Sequence, residues 1–129
     1  SLITNGAHLD FVKKLKGVYH IEVNSPEECD YTVVFCPIAS RVGTDVTEAL
    51  NKTSDHKPTI LVVMHHTFDP DHVVADSGRL VVDPNVQLTV DCLFYEGHLL
   101  QCKRNDAAWD EVKKKLGVSL FQCCLNDDT

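Results

Sequence analysis

The stretch Cys29-Asp-Tyr-Thr-Val-Val-Phe-Cys-Pro-Ile-Ala-Ser-Arg-Val-Gly-Thr-Asp-Val-Thr-Glu-Ala-Leu50 decides the fold. Its first part, Tyr31 to Cys36, is β-branched and apolar on both faces, as a strand covered on both sides must be. A polar turn, Ser40 to Thr44, follows. From Asp45 the pattern turns helical, with Val46, Ala49 and Leu50 on one side. Lys57-Pro58 breaks the chain, and Thr59-Ile-Leu-Val-Val-Met64 is a second apolar run of strand length. Two buried strands joined through a helix make a βαβ unit, so the strands are expected to be parallel with a right-handed crossover.

Upstream, Leu2-Ile-Thr4 reads as the end of a first strand and Asn5-Gly6 as a turn. Residues 8–16 read as a helix with Leu9, Val12 and Leu15 inward and Phe11 beside them, stopped by Gly17. Residues 18–23 alternate like a half-covered strand. Ser25, Pro26 and two glutamates make one short helical turn. Downstream, residues 65–84 hold two prolines and three histidines and read as an ordered loop, with a small strand at Leu80-Val-Val82. Residues 87–95 alternate as a strand, and Glu96-Gly97-His98 turns it into a hairpin that runs from Leu88 to Cys102. With a three-residue turn, Cys92 faces Cys102. Asn105 is the expected cap of a last helix ending at Leu116 and closed by Gly117.

This order predicts an α/β fold: a three-layer, flavodoxin- or Rossmann-like, mostly parallel sheet of about five strands, with a C-terminal β-hairpin edge. Residues 1–118 form the single domain, and residues 119–129 a partly ordered tail. The length of 129 residues suits one domain.

Composition excludes several functions. The net charge is -7, which argues against nucleic acid as a partner, since phosphate binding draws on clustered Lys and Arg. It also argues against an electrostatic membrane anchor, and no apolar run reaches the roughly 20 residues of a membrane span. The start has neither the basic end nor the apolar stretch of a signal peptide. The 6 cysteines lack paired CxxC spacing, so they are expected as reduced thiols in a cytoplasmic protein.

In such sheets ligands bind past the carboxyl ends of the strands. That rule selects Asn5 and Gly6, then Ser40, Arg41, Gly43, Thr44 and Asp45, then His65 and His66. Gly43 permits close backbone approach, the helix start favours an anion, and Arg41 adds a positive charge. The commoner reading of the same residues is a capping box, with Asp45 as N-cap and Glu48 reaching back. The loop is neither a P-loop nor a dinucleotide fingerprint. Asp69, Asp71 and His72 beside the two histidines could ligate a divalent metal, yet adjacent strand residues point apart and no fixed zinc motif is present. No metal or cofactor is therefore assigned. Ser40, a histidine and Asp45 meet only the loosest test for a nucleophile and its base, and there is no nucleophile elbow.

The segments Glu28 to Leu50, Lys57 to Pro70 and Leu88 to Phe94 resemble a group of small, uncharacterised α/β proteins expanded in fishes. The resemblance covers most of the chain. It implies a Rossmann-like fold, a vertebrate source and a first strand longer than the one seen here, and it implies no activity. A looser likeness is to nucleoside deoxyribosyltransferase-like and TIR-type domains. Gly43-Thr44 with Glu48 is similar to the transferase motif, with the glutamate one residue late. The expected function is a protein-interaction or self-associating module, a homodimer through the Leu88–Cys102 hairpin or the C-terminal helix. The alternative is a binding domain, hydrolase or transferase for a nucleotide-like or other anionic small molecule at the sheet's carboxyl edge.

Overall fold

A computed structural model describes residues 4–17, 20–22, 30–52, 57–116 and 121–127. The chain is an α/β protein. Helix α1 is Ala7–Lys16, strand β1 His20–Glu22, β2 Tyr31–Pro37, α2 Val42–Asn51 and β3 Thr59–His66. A short 3-10 turn at Ser77–Leu80 precedes β4 (Val86–Tyr95), β5 (His98–Leu99), α3 (Lys103–Leu116) and β6 (Phe121–Asp127). The sheet is mixed, in the order β1-β6-β2-β3-β4-β5. Every pairing is parallel except β4 with β5.

Alternation along the central strands splits the core in two. Val33 and Phe35 of β2, Ile60, Val62 and Met64 of β3, and Val90, Cys92 and Phe94 of β4 face one side. There they meet Phe11, Val12 and Leu15 of α1 and Ala108 and Val112 of α3. Val34, Cys36, Leu61 and Val63 face the other side and meet Val46 and Ala49 of α2. Helices thus cover both faces, which is why β2 is buried along its whole length and β3 as far as Met64.

Several expectations are corrected. The buried stripe of α1 is His8, Phe11, Val12 and Leu15, while Leu9 is 50% exposed. Those four form an i, i+3, i+4, i+7 set, and Leu9 falls about 60° beyond its edge. Helix α2 begins at Val42 with Arg41 as N-cap, so Asp45 lies inside the first turn and does not cap it. Leu80-Val81-Val82 is no strand: the 3-10 turn ends at Leu80, and Asp76 caps it through Gly78 N at 2.9 Å. The hairpin turn has two residues, since Tyr95 pairs with His98 and Phe94 with Leu99. Glu96 and Gly97 both have positive φ, 51° and 83°, the twist a tight hairpin needs. Cys92 therefore does not sit opposite Cys102 in that register.

Asn105 is not a cap but a strap. Its side-chain oxygen accepts from Leu93 N at 2.7 Å, and its amide donates to Leu93 O and Leu100 O at 2.8 and 2.7 Å. The largest difference is β6. Residues read as a tail lie between β1 and β2, with Val33 in register with Leu125 and Glu22 with Cys123. Leu2 and Ile3, the turn at Ser25–Cys29 and Gly117 lie outside the described residues. No helix among the described residues is long and apolar enough to cross a membrane.

Candidate functional site

Strands β2, β3 and β4 end on the same side of the sheet, at Pro37, His66 and Tyr95, and α1 and α2 start there. The sequence candidates all fall at this carboxyl edge, in three separate groups.

Asn5 and Gly6 lead into α1, both in the left-handed region at φ 54° and 95°. Gly6 is the N-cap, with no side-chain cap bond. Thr4 Oγ1 and His8 Nδ1 share a buried hydrogen bond of 2.8 Å, which ties the entry of α1 to its first turn. The hairpin turn rests on this group: a Cβ on Gly97 would stand 2.8 Å from Asn5 O. Only glycine fits there.

The second group is the loop from β2 to α2. The Asp45 carboxylate folds back over it. Oδ2 accepts from Ala39 N at 2.8 Å and Ser40 N at 2.9 Å, and Oδ1 accepts from Ser40 Oγ at 3.1 Å. Burial by itself raises the Asp45 carboxyl, but those amide and hydroxyl bonds outweigh it and hold the group below the usual carboxylate value. The loop has thus enlisted its own anion. Arg41 and Thr44 are exposed, and the side of Gly43 opens on free space. Ser40 spends its hydroxyl on Asp45, so it is not aimed at a histidine.

The third group divides, as adjacent strand residues must. His65 turns to one face and reaches Asp91 Oδ1 through Nε2 at 2.8 Å. His66 turns to the other, with its ring 5.2 Å from both Phe94 and Tyr95 and stacked on Tyr95 at 26°. Phe68 meets Tyr95 edge-on at 6.3 Å. His66, Tyr95 and Phe68 form an aromatic ledge, on which Phe68 is 76% and Tyr95 36% exposed. Among the described residues no three His, Cys, Asp or Glu side chains gather as metal ligands.

Asp91 is the residue that the sequence reading missed. It is 5% exposed and takes two further hydrogen bonds, from Ser77 N at 3.0 Å and from Ser77 Oγ. Burial pushes its carboxyl up, but the His65 and Ser77 bonds together with the His65 charge bring it below the usual value. Ser, Asp and His meet here, but in the wrong order for nucleophilic catalysis: the serine donates to the carboxylate, not to the imidazole. The trio pins the 3-10 turn to β3 and β4. An acid inside the apolar run Val90-Asp91-Cys92-Leu93 was the available signal, since a buried carboxylate needs partners. Beside it, burial, then Asp91 and Cys102, push the Cys92 thiol up to about 12.

Comparison with family models, with curated proteins and with solved structures finds no match to this chain.

Proposed function

We propose that this protein is a self-associating interaction module, in which the His66–Phe68–Tyr95 ledges of two copies pack against each other about a two-fold axis. The observation that carries the reading is the ledge. Phe68 and Tyr95 are exposed there, and Val73, Leu80 and Val82 are exposed along the β3–β4 connection. Scattered exposed residues mean little, but a stacked aromatic group with a free face gains from a partner. The ledge sits at the tip of the hairpin region, so it refines the expected hairpin contact. Edge-to-edge pairing through β5 is a poorer route, because Asp10 Oδ2 takes the Leu99 amide at 3.0 Å and guards that edge. Helix α3 is poorer too, since Ala108 and Val112 are spent on the core. An isologous contact this small gives a weak dimer. Sedimentation analysis of the chain, and of Phe68→Ser with Tyr95→Ser, tests it.

A second reading is a site for an anionic small molecule at the same edge. It is favoured by two helices, α1 and α2, that start there without side-chain caps. The Asp45 carboxylate counts against an anion on the Ala39 and Ser40 amides, which leaves the Asn5–Gly6 side of the edge. Thermal shift with nucleotides and sugar phosphates tests this reading, and no shift for any of them removes it.

The finer fold label is also a proposal: a flavodoxin- or Rossmann-like sheet, supported by helices on both faces and by the parallel order of β1, β6, β2, β3 and β4. Kinship with the small fish α/β proteins belongs here as well. So does a cytoplasmic location, which the thiols of Cys92 and Cys102, outside any disulfide, suit.

A further inference from the structure

The loop after β3 and the start of α3 border an open surface hollow of about 370 Å³. Its walls are Asp71, His72 and Val73 on one side and Lys103, Arg104 and Ala107 on the other. Lys103 and Arg104 put two adjacent cations on its wall, in a chain of net charge -7. Arg104 is the informative one. It is half-buried, and one guanidinium nitrogen, Nη2, donates to Val74 O at 3.2 Å. That bond fixes the direction of the fork without neutralising it. Among the described residues no carboxylate forms an ion pair with it. Asp76, Asp91 and Glu111 line a smaller hollow of about 150 Å³ together with Arg104, and none of the three is its ion-pair partner. A positioned guanidinium with spare N–H groups matches an oxyanion in two-point geometry. The start of α3 adds positive potential to a site that already holds Lys103, Arg104 and His72. Asp71 is the exception. Its carboxylate repels a bare anion but accepts from hydroxyl groups.

We propose that this hollow binds a small phosphate monoester that also carries hydroxyl groups, with the phosphate on Arg104 and Lys103 and a hydroxyl on Asp71. The inference is independent of the ledge.

The test is an amide-resolved NMR titration of the full chain with glycerol 3-phosphate, inorganic phosphate and glycerol at low salt. Saturable shifts are expected at residues 71–74 and 103–107 with glycerol 3-phosphate, weaker ones with phosphate, and none with glycerol. Arg104→Gln is expected to weaken binding by about tenfold or more, the loss of a charge-assisted pair. Lys103→Gln, at an exposed position that leaves the fold intact, is expected to weaken it by about threefold. No saturable shift up to roughly 10 mM, the weak end of specific binding, would overturn the proposal. Unchanged affinity in Lys103→Gln and in folded Arg104→Gln would overturn it equally. Equal affinity for inorganic phosphate would overturn the role given to Asp71.

Discussion

Asp91→Ala removes the carboxylate on which three donors converge: His65 Nε2, Ser77 N and Ser77 Oγ. Ser77 is 2% exposed, so water does not replace the lost acceptor for its amide or hydroxyl. A buried polar group left without a partner costs about 1–3 kcal/mol, and Ser77 loses the acceptor of both its amide and its hydroxyl. The expected loss for Asp91→Ala is therefore about 3 kcal/mol. Asp91→Asn keeps the shape and one acceptor and is expected to lose about 1–2 kcal/mol. Urea unfolding at pH 7 measures both. A cycle with Ser77→Ala is expected to show coupling of about 1 kcal/mol, because the second change removes the hydroxyl donor that the first has already orphaned. The pH dependence has a definite sign. The folded carboxyl sits below its ordinary value, so the unfolded chain takes up the proton first as pH falls. The Asp91 contribution is complete above about pH 5 and drains away through the unfolded value near 3.9 towards the folded one. The stability gap between wild type and Asp91→Asn is expected to shrink over that window. An Asp91→Ala protein within about 0.5 kcal/mol of wild type, or strict additivity with Ser77→Ala, would refute the reasoning.

Two glycines give opposite outcomes in thermal unfolding. Gly97→Ala is expected to destabilise by about 2 kcal/mol, since its φ is 83° and the new methyl would press on Asn5 O. Gly43→Ala, inside α2 with nothing near its missing side chain, is expected to gain about 0.5 kcal/mol. In native protein at pH 8, iodoacetamide is expected to label the half-exposed Cys102 and spare Cys92, whose thiol is buried and pushed up to about 12. Mass spectrometry of the peptides reads this out, and equal labelling would contradict the burial.

The α/β class was legible because Tyr31 to Cys36 and Thr59 to Met64 are apolar on both faces, a pattern that only a covered parallel strand explains. Strand β6 was not legible. Phe121-Gln-Cys-Cys-Leu is short, follows a helix stop, and earns its place only by pairing with β1 and β2, which are distant in sequence. The α2 boundary moved because Asp45 bonds backwards to the loop, a choice that composition cannot distinguish from capping. The division of His65 from His66 followed from strand alternation. Their partners did not, because Asp91 and Tyr95 lie on a neighbouring strand whose register only the fold sets. The ledge was hidden for the same reason: Phe68 reads as one loop residue until Tyr95 is brought beneath it.

Sedimentation equilibrium across the micromolar to millimolar range tests the self-association most directly. A reversible dimer is expected for wild type, and a monomer of unchanged melting temperature for the Phe68→Ser, Tyr95→Ser protein. A wild-type chain that stays monomeric throughout, or a doubly substituted chain that dimerises with the same affinity, would contradict it.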